Sequence, residues 1–293
     1  MAFKLGSTDI NKVYLGSTEI NSIYLGSTEV YSGAIAYTPL LDSLSATPDF
    51  AWSFWQLSTS QTNCIRIRED VTNNETDIGF VNGYIDVASI NAFLTTYGAS
   101  NAYGVTLYDA SSNANHASES TSANQYLFSE TAGVDGQAAF INQTSSQSVY
   151  SFGTQITAYS QSDSTIFVKT AATTSATADY YFTTASNRGY IVGRSSTGIW
   201  AFQPNANFNS SISLNTSTDY YTRTYWDGST VNFDVNSSTQ SASYTTIPQN
   251  LRWAVDAVTP IALSGCLTFN APLSSGDAST LKAFYNSQFN KSI

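Results

Sequence analysis

Hydrophobic and polar residues alternate along much of the chain, a pattern that predicts β-strands with one buried face. The clearest case is 64–68, Cys-Ile-Arg-Ile-Arg, in which every second residue is apolar. Trp52 and Phe54 likewise share one face of an early strand, and Asp227-Gly228 is typical of a hairpin turn. Further strands are predicted at 103–108, 138–143, 147–152, 164–171, 179–184, 189–194, 198–203, 219–226, 230–235, 250–256 and 261–270.

Two segments instead show the spacing of a helix. Val87, Ile90 and Leu94 share one helix face, and Asp86 precedes them where it can cap the first turn. Residues 274–289 repeat this spacing near the end of the chain. About a dozen short strands separated by turns, with only two short helices, predict an all-β protein built as a two-sheet jelly-roll sandwich.

The first 32 residues are a tandem repeat with a period of ten, in which Leu-Gly-Ser-Thr and an acid recur three times. Gly-Ser-Thr is typical of turns, whereas 10–15, Ile-Asn-Lys-Val-Tyr-Leu, is typical of a strand. Both faces of such a strand are partly apolar, and a free meander of three would be marginal alone. We expect the acids Asp9, Glu19 and Glu29 at exposed turn edges, because stacked like charges cost energy.

The repeat is therefore expected to pack against other copies of itself or against a partner. A plain three-stranded cap on the following domain is the alternative. The residues expected to make the attachment or oligomerisation contacts are Leu5, Ile10, Val13, Tyr14, Leu15, Ile20, Ile23, Tyr24, Leu25 and Val30.

Three parts of the chain are predicted from these patterns. Residues 1–32 form the repeat module, 33–49 form a linker and entry segment punctuated by Pro39 and Pro48, and 50–293 form the jelly roll. The chain is 42% hydrophobic, which is enough to bury a large core and excludes a disordered protein.

Charge narrows the range of partners. The net charge is −10 and the 11 basic residues are scattered, so the sequence predicts no nucleic-acid partner. No apolar stretch is long enough to span a bilayer, so membrane insertion is not expected either. Residues 1–4 lead directly into the repeat without the apolar region of a signal peptide, and we expect a protein that is made without one.

Three segments carry a family resemblance. The arginine-rich strand at 64–68, the Asp-Ile-Gly-Phe turn at 77–80 and the Tyr-Asp-Ala-Ser-Ser-Asn-Ala-Asn-His loop at 108–116 stand in this order. Together they resemble the catalytic-domain family of α-L-arabinofuranosidase B. The resemblance covers 50–293 and implies a concanavalin-like jelly roll, a fold shared with laminin G-like domains.

The N-terminal repeat is similar to Tyr-Leu-Gly-Ser-Thr-Glu-Ile repeats found at the start of many bacteriophage virion proteins. This resemblance implies a structural virion protein, such as a spike, head fibre or tail protein, made in the host cytoplasm and displayed on the virion surface. Its expected partners are other virion proteins, held through 1–32, and further copies of itself. A trimer is expected because such spikes are commonly threefold, and a host surface glycan is the expected external ligand.

Catalysis is not expected from the sequence. Glycoside hydrolysis uses two carboxyl groups, and the arabinofuranosidase family carries its catalytic acids in the second half of the domain. The last glutamate here is Glu130, so that half offers only aspartates, such as Asp256 and Asp277. Asp227 and Asp234 flank a hairpin and are interpreted as solvated turn groups. The sequence thus favours a non-catalytic protein, with a carbohydrate-binding module or an arabinofuranosidase-like hydrolase as alternatives.

Binding of a sugar would use aromatic side chains on a sheet face, although residues of this kind more often belong to the core. The candidates are Trp200, Tyr220, Tyr225, Trp226 and Trp253. No cofactor and no metal site is expected, because closely spaced cysteine and histidine ligands are absent.

A weak calcium pattern starts at Asp109, but it lacks the glycine and glutamate of an EF-hand loop. The single histidine, His116, is interpreted as a hydrogen-bonding turn residue. Cys64 and Cys266 are interpreted as buried free thiols, since a chain with two cysteines and no signal peptide is not a disulfide scaffold.

Overall fold

The structure is a computed structural model. It describes residues 4–5, 8–9, 13–15, 18–20, 22–25, 28–32, 37–141, 148–152, 162–169, 179–180, 183–184, 193–195, 198–202, 208–209, 217–243, 251–255 and 262–293. The chain divides into two compact units, Met1–Thr38 and Pro39–Ile293.

The described residues of the first unit form six short strands. They are β1 (Lys4–Leu5), β2 (Thr8–Asp9), β3 (Val13–Leu15), β4 (Thr18–Ile20), β5 (Ser22–Leu25) and β6 (Thr28–Ser32).

The second unit contains the remaining strands and two helices. The strands before the middle of the chain are β7 (Phe50–Ser53), β8 (Ile65–Glu69), β9 (Glu75–Ile78), β10 (Phe80–Val81), β11 (Tyr84–Ile85), β12 (Ala102–Leu107), β13 (Ala117–Ser118), β14 (Leu127–Ser129), β15 (Ala139–Ile141) and β16 (Ser148–Phe152). The later strands are β17 (Ser162–Lys169), β18 (Asp179–Tyr180), β19 (Thr183–Thr184), β20 (Gly193–Ser195), β21 (Gly198–Phe202), β22 (Phe208–Asn209), β23 (Asp219–Trp226), β24 (Thr230–Val235), β25 (Ser238–Ser243), β26 (Leu251–Val255) and β27 (Ala262–Phe269). The helices are α1 (Val87–Tyr97) and α2 (Ser275–Gln288).

Each ten-residue repeat folds as its own antiparallel hairpin. The pairs are β1 with β2, β3 with β4, and β5 with β6, and in each the leucine of the repeat lies opposite the threonine. The predicted strand over 10–15 is described from Val13 to Leu15, where it is β3, and residues 10–12 lie outside the described residues. The acids Asp9, Glu19 and Glu29 are predicted at turn edges, whereas their backbones lie in β2, β4 and β6, where Glu19 is the register partner of Tyr14.

Twelve strands of the second unit form one hydrogen-bonded path. Its order is β19-β26-β16-β13-β12-β14-β15-β27-β17-β23-β24-β25, with β7 pairing to β27, β8 to β12, and β9 to β8. All of the pairs are antiparallel. The strand β27 is central, because β17 occupies one edge while β7 and β15 share the other.

The core lies between the β7–β27–β17–β23–β24 side of this sheet and the β8–β9–β12 side. Trp52 stands near its middle, fully buried, stacked on Phe140 at 5.6 Å between ring centroids and edge-on to Phe54 at 4.9 Å. Gly265 in β27 keeps the neighbouring strands close, because a Cβ there would stand 2.9 Å from the Phe167 ring. The all-β sandwich predicted from alternation is confirmed.

Both predicted helices are present, and α1 begins at its predicted N-cap. Asp86 accepts the N–H of Ser89 at 3.0 Å at the start of α1, and Gly98 ends that helix in the left-handed region at φ 62°. Two aromatic side chains of α2, Phe284 and Tyr285, and that of Phe289 directly after the helix cover the outer face of β17, where they pack around the ring of Phe167. Among the described residues, no helix is long and apolar enough to cross a bilayer.

The predicted linker at 33–49 is wrong in its second part. The second unit begins at Pro39, and Leu40 is only 2% exposed. Asp277 at the start of α2 accepts hydrogen bonds from the backbone N–H and the hydroxyl of Ser45, at 2.9 and 2.6 Å. These long-range contacts make 39–49 part of the packed domain, and proline spacing alone does not reveal them.

Candidate functional site

The outer face of β17, β23 and β24 carries a cluster of charged side chains beside α2. At its centre Arg223 donates from Nε to both carboxylate oxygens of Asp163, each at 3.0 Å, and from Nη2 to Oδ2 at 2.5 Å. Asp163 is fully buried, and its Oδ2 also accepts the N–H of Leu273 at 2.9 Å. The pair therefore joins β17, β23 and the segment that leads into α2.

Asp234 and Tyr225 form the more open side of this Arg223 cluster. Oδ2 of Asp234 lies 3.7 Å from Nη1 of Arg223, and its Oδ1 accepts the Thr239 hydroxyl at 2.7 Å. The ring of Tyr225 packs against the guanidinium, whose carbon is 4.2 Å from the ring centroid. Asp234 was interpreted as a solvated turn group, and this is wrong, because it lies within β24 opposite Arg223.

Burial sets the electrostatics of the cluster. It raises the pKa of Asp163, while the hydrogen bonds and charge of Arg223 oppose that rise. Burial also raises the pKa of Tyr225, and the nearby Asp234 carboxylate adds to the effect. Since Asp163 is enclosed, the groups that could meet a ligand here are the Asp234 carboxylate, an acceptor for hydroxyls, and the Tyr225 side chain.

Strand alternation separates the predicted aromatic ligands. Tyr220 and Trp226 point to the other face of β23, where they are 5% and 3% exposed, whereas half-buried Tyr225 shares the face of Arg223. The side chains of Trp200 and Trp253 lie outside what the structure describes. Of the five candidates, the structure brings only Tyr225 next to the charged cluster within the described residues.

The predicted attachment residues fall in the hairpins of the first unit. Leu5, Val13, Tyr14, Leu15, Ile20, Ile23, Tyr24, Leu25 and Val30 are placed by their strands at the level of the backbone only. Ile10 lies outside the described residues. The proposed contacts of this module stay a prediction.

The Asp109 loop is occupied by hydrogen bonds within the protein. Its carboxylate accepts the N–H groups of Ala51, Ser111 and Asn115, and also the Ser111 hydroxyl at 2.6 Å. These four donors use the oxygens that a calcium ion would need, so the calcium pattern does not fit this geometry. His116 makes the predicted turn hydrogen bond, because its Nδ1 accepts the N–H of Asp109 at 3.0 Å.

Other side chains singled out in the sequence have structural surroundings. Asp227 accepts the N–H groups of Ser229 and Thr230 in the β23–β24 turn, as predicted. Asp256 lies outside the described residues. Cys64 and Cys266 are buried free thiols, as predicted, and burial raises the pKa of both.

Within the described part of the chain, no three or more His, Cys, Asp or Glu side chains cluster as metal ligands.

The Asp163–Arg223 pair is not predicted from the sequence, because 60 positions separate the two residues. An arginine within the apolar run of β23 is the signal that could have pointed to a buried partner.

Comparisons with known proteins show the fold. No protein-family model and no curated protein matches the sequence. Among solved structures, the chain is similar to a GH54 α-L-arabinofuranosidase mutant soaked with 4-nitrophenyl α-L-arabinofuranoside, at a TM-score of 0.58 and 14% identity over 83% of this chain. An arabinofuranosidase complexed with arabinofuranosyl-α-1,2-xylobiose matches over the same share at a TM-score of 0.57 and 13% identity. The chain spans 63% of the length of each.

These similarities bear on three expectations. The prediction of a non-catalytic protein is contradicted, because the solved structures that share the β-sandwich of this chain are GH54 arabinofuranosidases, which are enzymes. The resemblance to the arabinofuranosidase fold is confirmed. The comparisons lend no support to a virion role.

Proposed function

We propose that the second unit is a carbohydrate-binding domain built on a glycosidase fold. The observation that carries this proposal is the match of 83% of the chain to arabinofuranosidases solved with arabinofuranosides. Such a ligand has many hydroxyls and no charge, and it is recognised by polar side chains beside aromatic rings. Among the described residues, the Asp234 carboxylate and the nearby Tyr225 ring form such a combination.

The test is binding of the full chain to an array of immobilised plant and microbial glycans. We expect signal on arabinose-bearing oligosaccharides that soluble arabino-oligosaccharide removes by competition. The same protein incubated with 4-nitrophenyl α-L-arabinofuranoside shows whether binding extends to hydrolysis, through release of 4-nitrophenol. A glycan array without signal and without turnover of the aryl glycoside would contradict the proposal.

We further infer that the three hairpins of residues 1–32 join copies of the chain. The supporting observation is their shared register, since isolated two-stranded hairpins are marginal in water and gain stability from neighbouring strands. Light scattering after size exclusion is expected to give the mass of three chains for the full-length protein. A chain starting at Pro39 is expected to give the mass of one chain. Two monomers of the expected masses would refute this inference.

A further inference from the structure

The solvent-facing side of β8, β9, β12 and β13 carries a row of polar side chains. Across these strands the members lie opposite one another: Asp77, Arg66, Thr106 and Ser118. Opposite residues in antiparallel strands point to the same face. The next row points the other way and is buried in the core: Ile78, Ile65, Leu107 and Ala117. The polar row therefore belongs to a surface and not to the packing between the sheets.

Arg66 and Asp77 form a two-point ion pair on this surface. Nε of Arg66 donates to Oδ1 of Asp77 at 2.7 Å, and Nη2 donates to Oδ2 at 2.9 Å. The Arg66 side chain is 42% exposed and that of Asp77 is 34% exposed. The hydroxyl of Tyr108 also donates to Oδ1 of Asp77, at 2.6 Å, and the His116 ring meets Tyr108 edge-on at 5.0 Å. We call these four side chains the Asp77 platform.

The platform fixes three flat groups that retain hydrogen-bonding capacity. A guanidinium has five N–H groups, and Arg66 directs two of them at Asp77. The Tyr108 hydroxyl donates to Asp77 and accepts from Arg66, and its oxygen keeps one further acceptor position. His116 accepts at Nδ1, so its neutral ring carries the proton on Nε2 as a donor. Rigidly placed donors and acceptors suit the adjacent hydroxyls of a sugar, which both donate and accept.

Charge at the platform favours a neutral ligand. The two-point pair cancels the charge of Arg66, so this arginine does not offer an uncompensated cation to a carboxylate or sulfate. Glu75 lies two residues before Asp77 in the same strand, is exposed, and stands opposite Arg68 of β8, so this second pair of opposite charges adds no net charge to the face. The whole chain carries a net charge of −10, so an acidic sugar chain would be repelled at longer range.

We propose that the Asp77 platform is a binding site for neutral glycan chains, an inference that rests on the proposed carbohydrate-binding function. Arg66 and Tyr108 supply the directional contacts, and Asp77 holds both in place. Acidic glycans are repelled by the net negative charge of the chain.

The test measures binding of the full chain to a linear arabino-oligosaccharide and to an oligogalacturonate by calorimetry at two salt concentrations. Tyr108→Phe removes one hydroxyl and Arg66→Lys removes the two-point fork, and each is expected to weaken arabino-oligosaccharide binding about three- to tenfold. Tyr97→Phe is the matched control, since it removes the hydroxyl of an exposed tyrosine on α1, and it is expected to leave binding unchanged. Glu75→Gln is expected to reduce the preference of the chain for arabino-oligosaccharide over oligogalacturonate.

The outcomes separate this inference from the function on which it rests. If the wild-type chain binds the arabino-oligosaccharide and folded Tyr108→Phe and Arg66→Lys bind equally well, the platform is not the site, although the carbohydrate function stands. Tighter binding of oligogalacturonate that weakens with salt would overturn the neutral preference. Absence of binding to any glycan by the wild-type chain would overturn both proposals.

Discussion

Replacing Arg223 with methionine is expected to lower the free energy of unfolding by about 3–5 kcal/mol, because it leaves a buried carboxylate without its partner. Asp163 has no exposed surface, and Arg223 supplies its only cationic hydrogen-bond donor among the described residues. Urea denaturation at pH 7 measures the loss. Arg66→Met removes an ion pair of the same chemistry that is exposed, and its expected cost is under about 1 kcal/mol.

The loss in the free energy of unfolding that Arg223→Met causes should depend on pH. Burial already raises the pKa of Asp163, and removal of Arg223 removes the interaction that opposes this rise. A group whose pKa is higher in the folded state contributes stability below its unfolded pKa, about 3.9, and this contribution is lost as pH rises through the folded value. The deficit should therefore be smaller at pH 4 than at pH 7.

A second substitution checks the cause. Asp163→Asn in the Arg223→Met background removes the uncompensated charge and keeps an acceptor for the N–H of Leu273. We expect this double variant to regain part of the lost stability at pH 7 and to lose the pH dependence. An equal deficit of Arg223→Met relative to the wild type at both pH values would show that Asp163 does not carry the charge assigned to it.

Replacing Trp52 with alanine is expected to cost about 3–5 kcal/mol in the free energy of unfolding. Its indole is fully buried, stacks on Phe140 and meets Phe54 edge-on, so its removal leaves a cavity lined by rigid rings. The indole also donates to the carbonyl of Cys64 at 3.1 Å, a carbonyl that keeps a second bond from the N–H of Tyr108. Chemical denaturation by urea again gives the measurement.

Two further variants calibrate that result. Trp52→Phe keeps a ring in the core, and its cost should be clearly smaller than that of Trp52→Ala. Tyr97→Ala removes an aromatic side chain that is 37% exposed, and its expected cost is within about 0.5 kcal/mol. If Trp52→Ala were no more destabilising than Tyr97→Ala, the placement of Trp52 in the core would be refuted.

Local pattern was enough to predict elements whose causes are local. The strands Asp219–Trp226 and Thr230–Val235 match their predicted bounds, because alternation and the Asp227-Gly228 turn specify both within a few residues. The helix cap Asp86 acts over a single turn. Within the repeat, Gly-Ser-Thr indicates a turn, but the sequence pattern does not show which strands pair, so the pairing of β1 with β2, β3 with β4 and β5 with β6 was not predicted.

The candidate sites depend on distant residues that only the fold brings together. Arg66 and Tyr108 meet at Asp77 because β8, β9 and β12 pair in one register, and a shift by one residue would turn each side chain to the other face. Face assignment also removed Tyr220 and Trp226 from the Arg223 cluster while keeping Tyr225 there.

Alternation, turn residues and composition by themselves determined an all-β sandwich with two helices and an N-terminal repeat. The tertiary structure alone decided which carboxylates are buried, which arginines pair with them, and that 39–49 belongs to the packed domain. The physical reason is range: strand and turn preferences act between neighbours in sequence, whereas burial and ion pairing act between strands up to hundreds of residues apart.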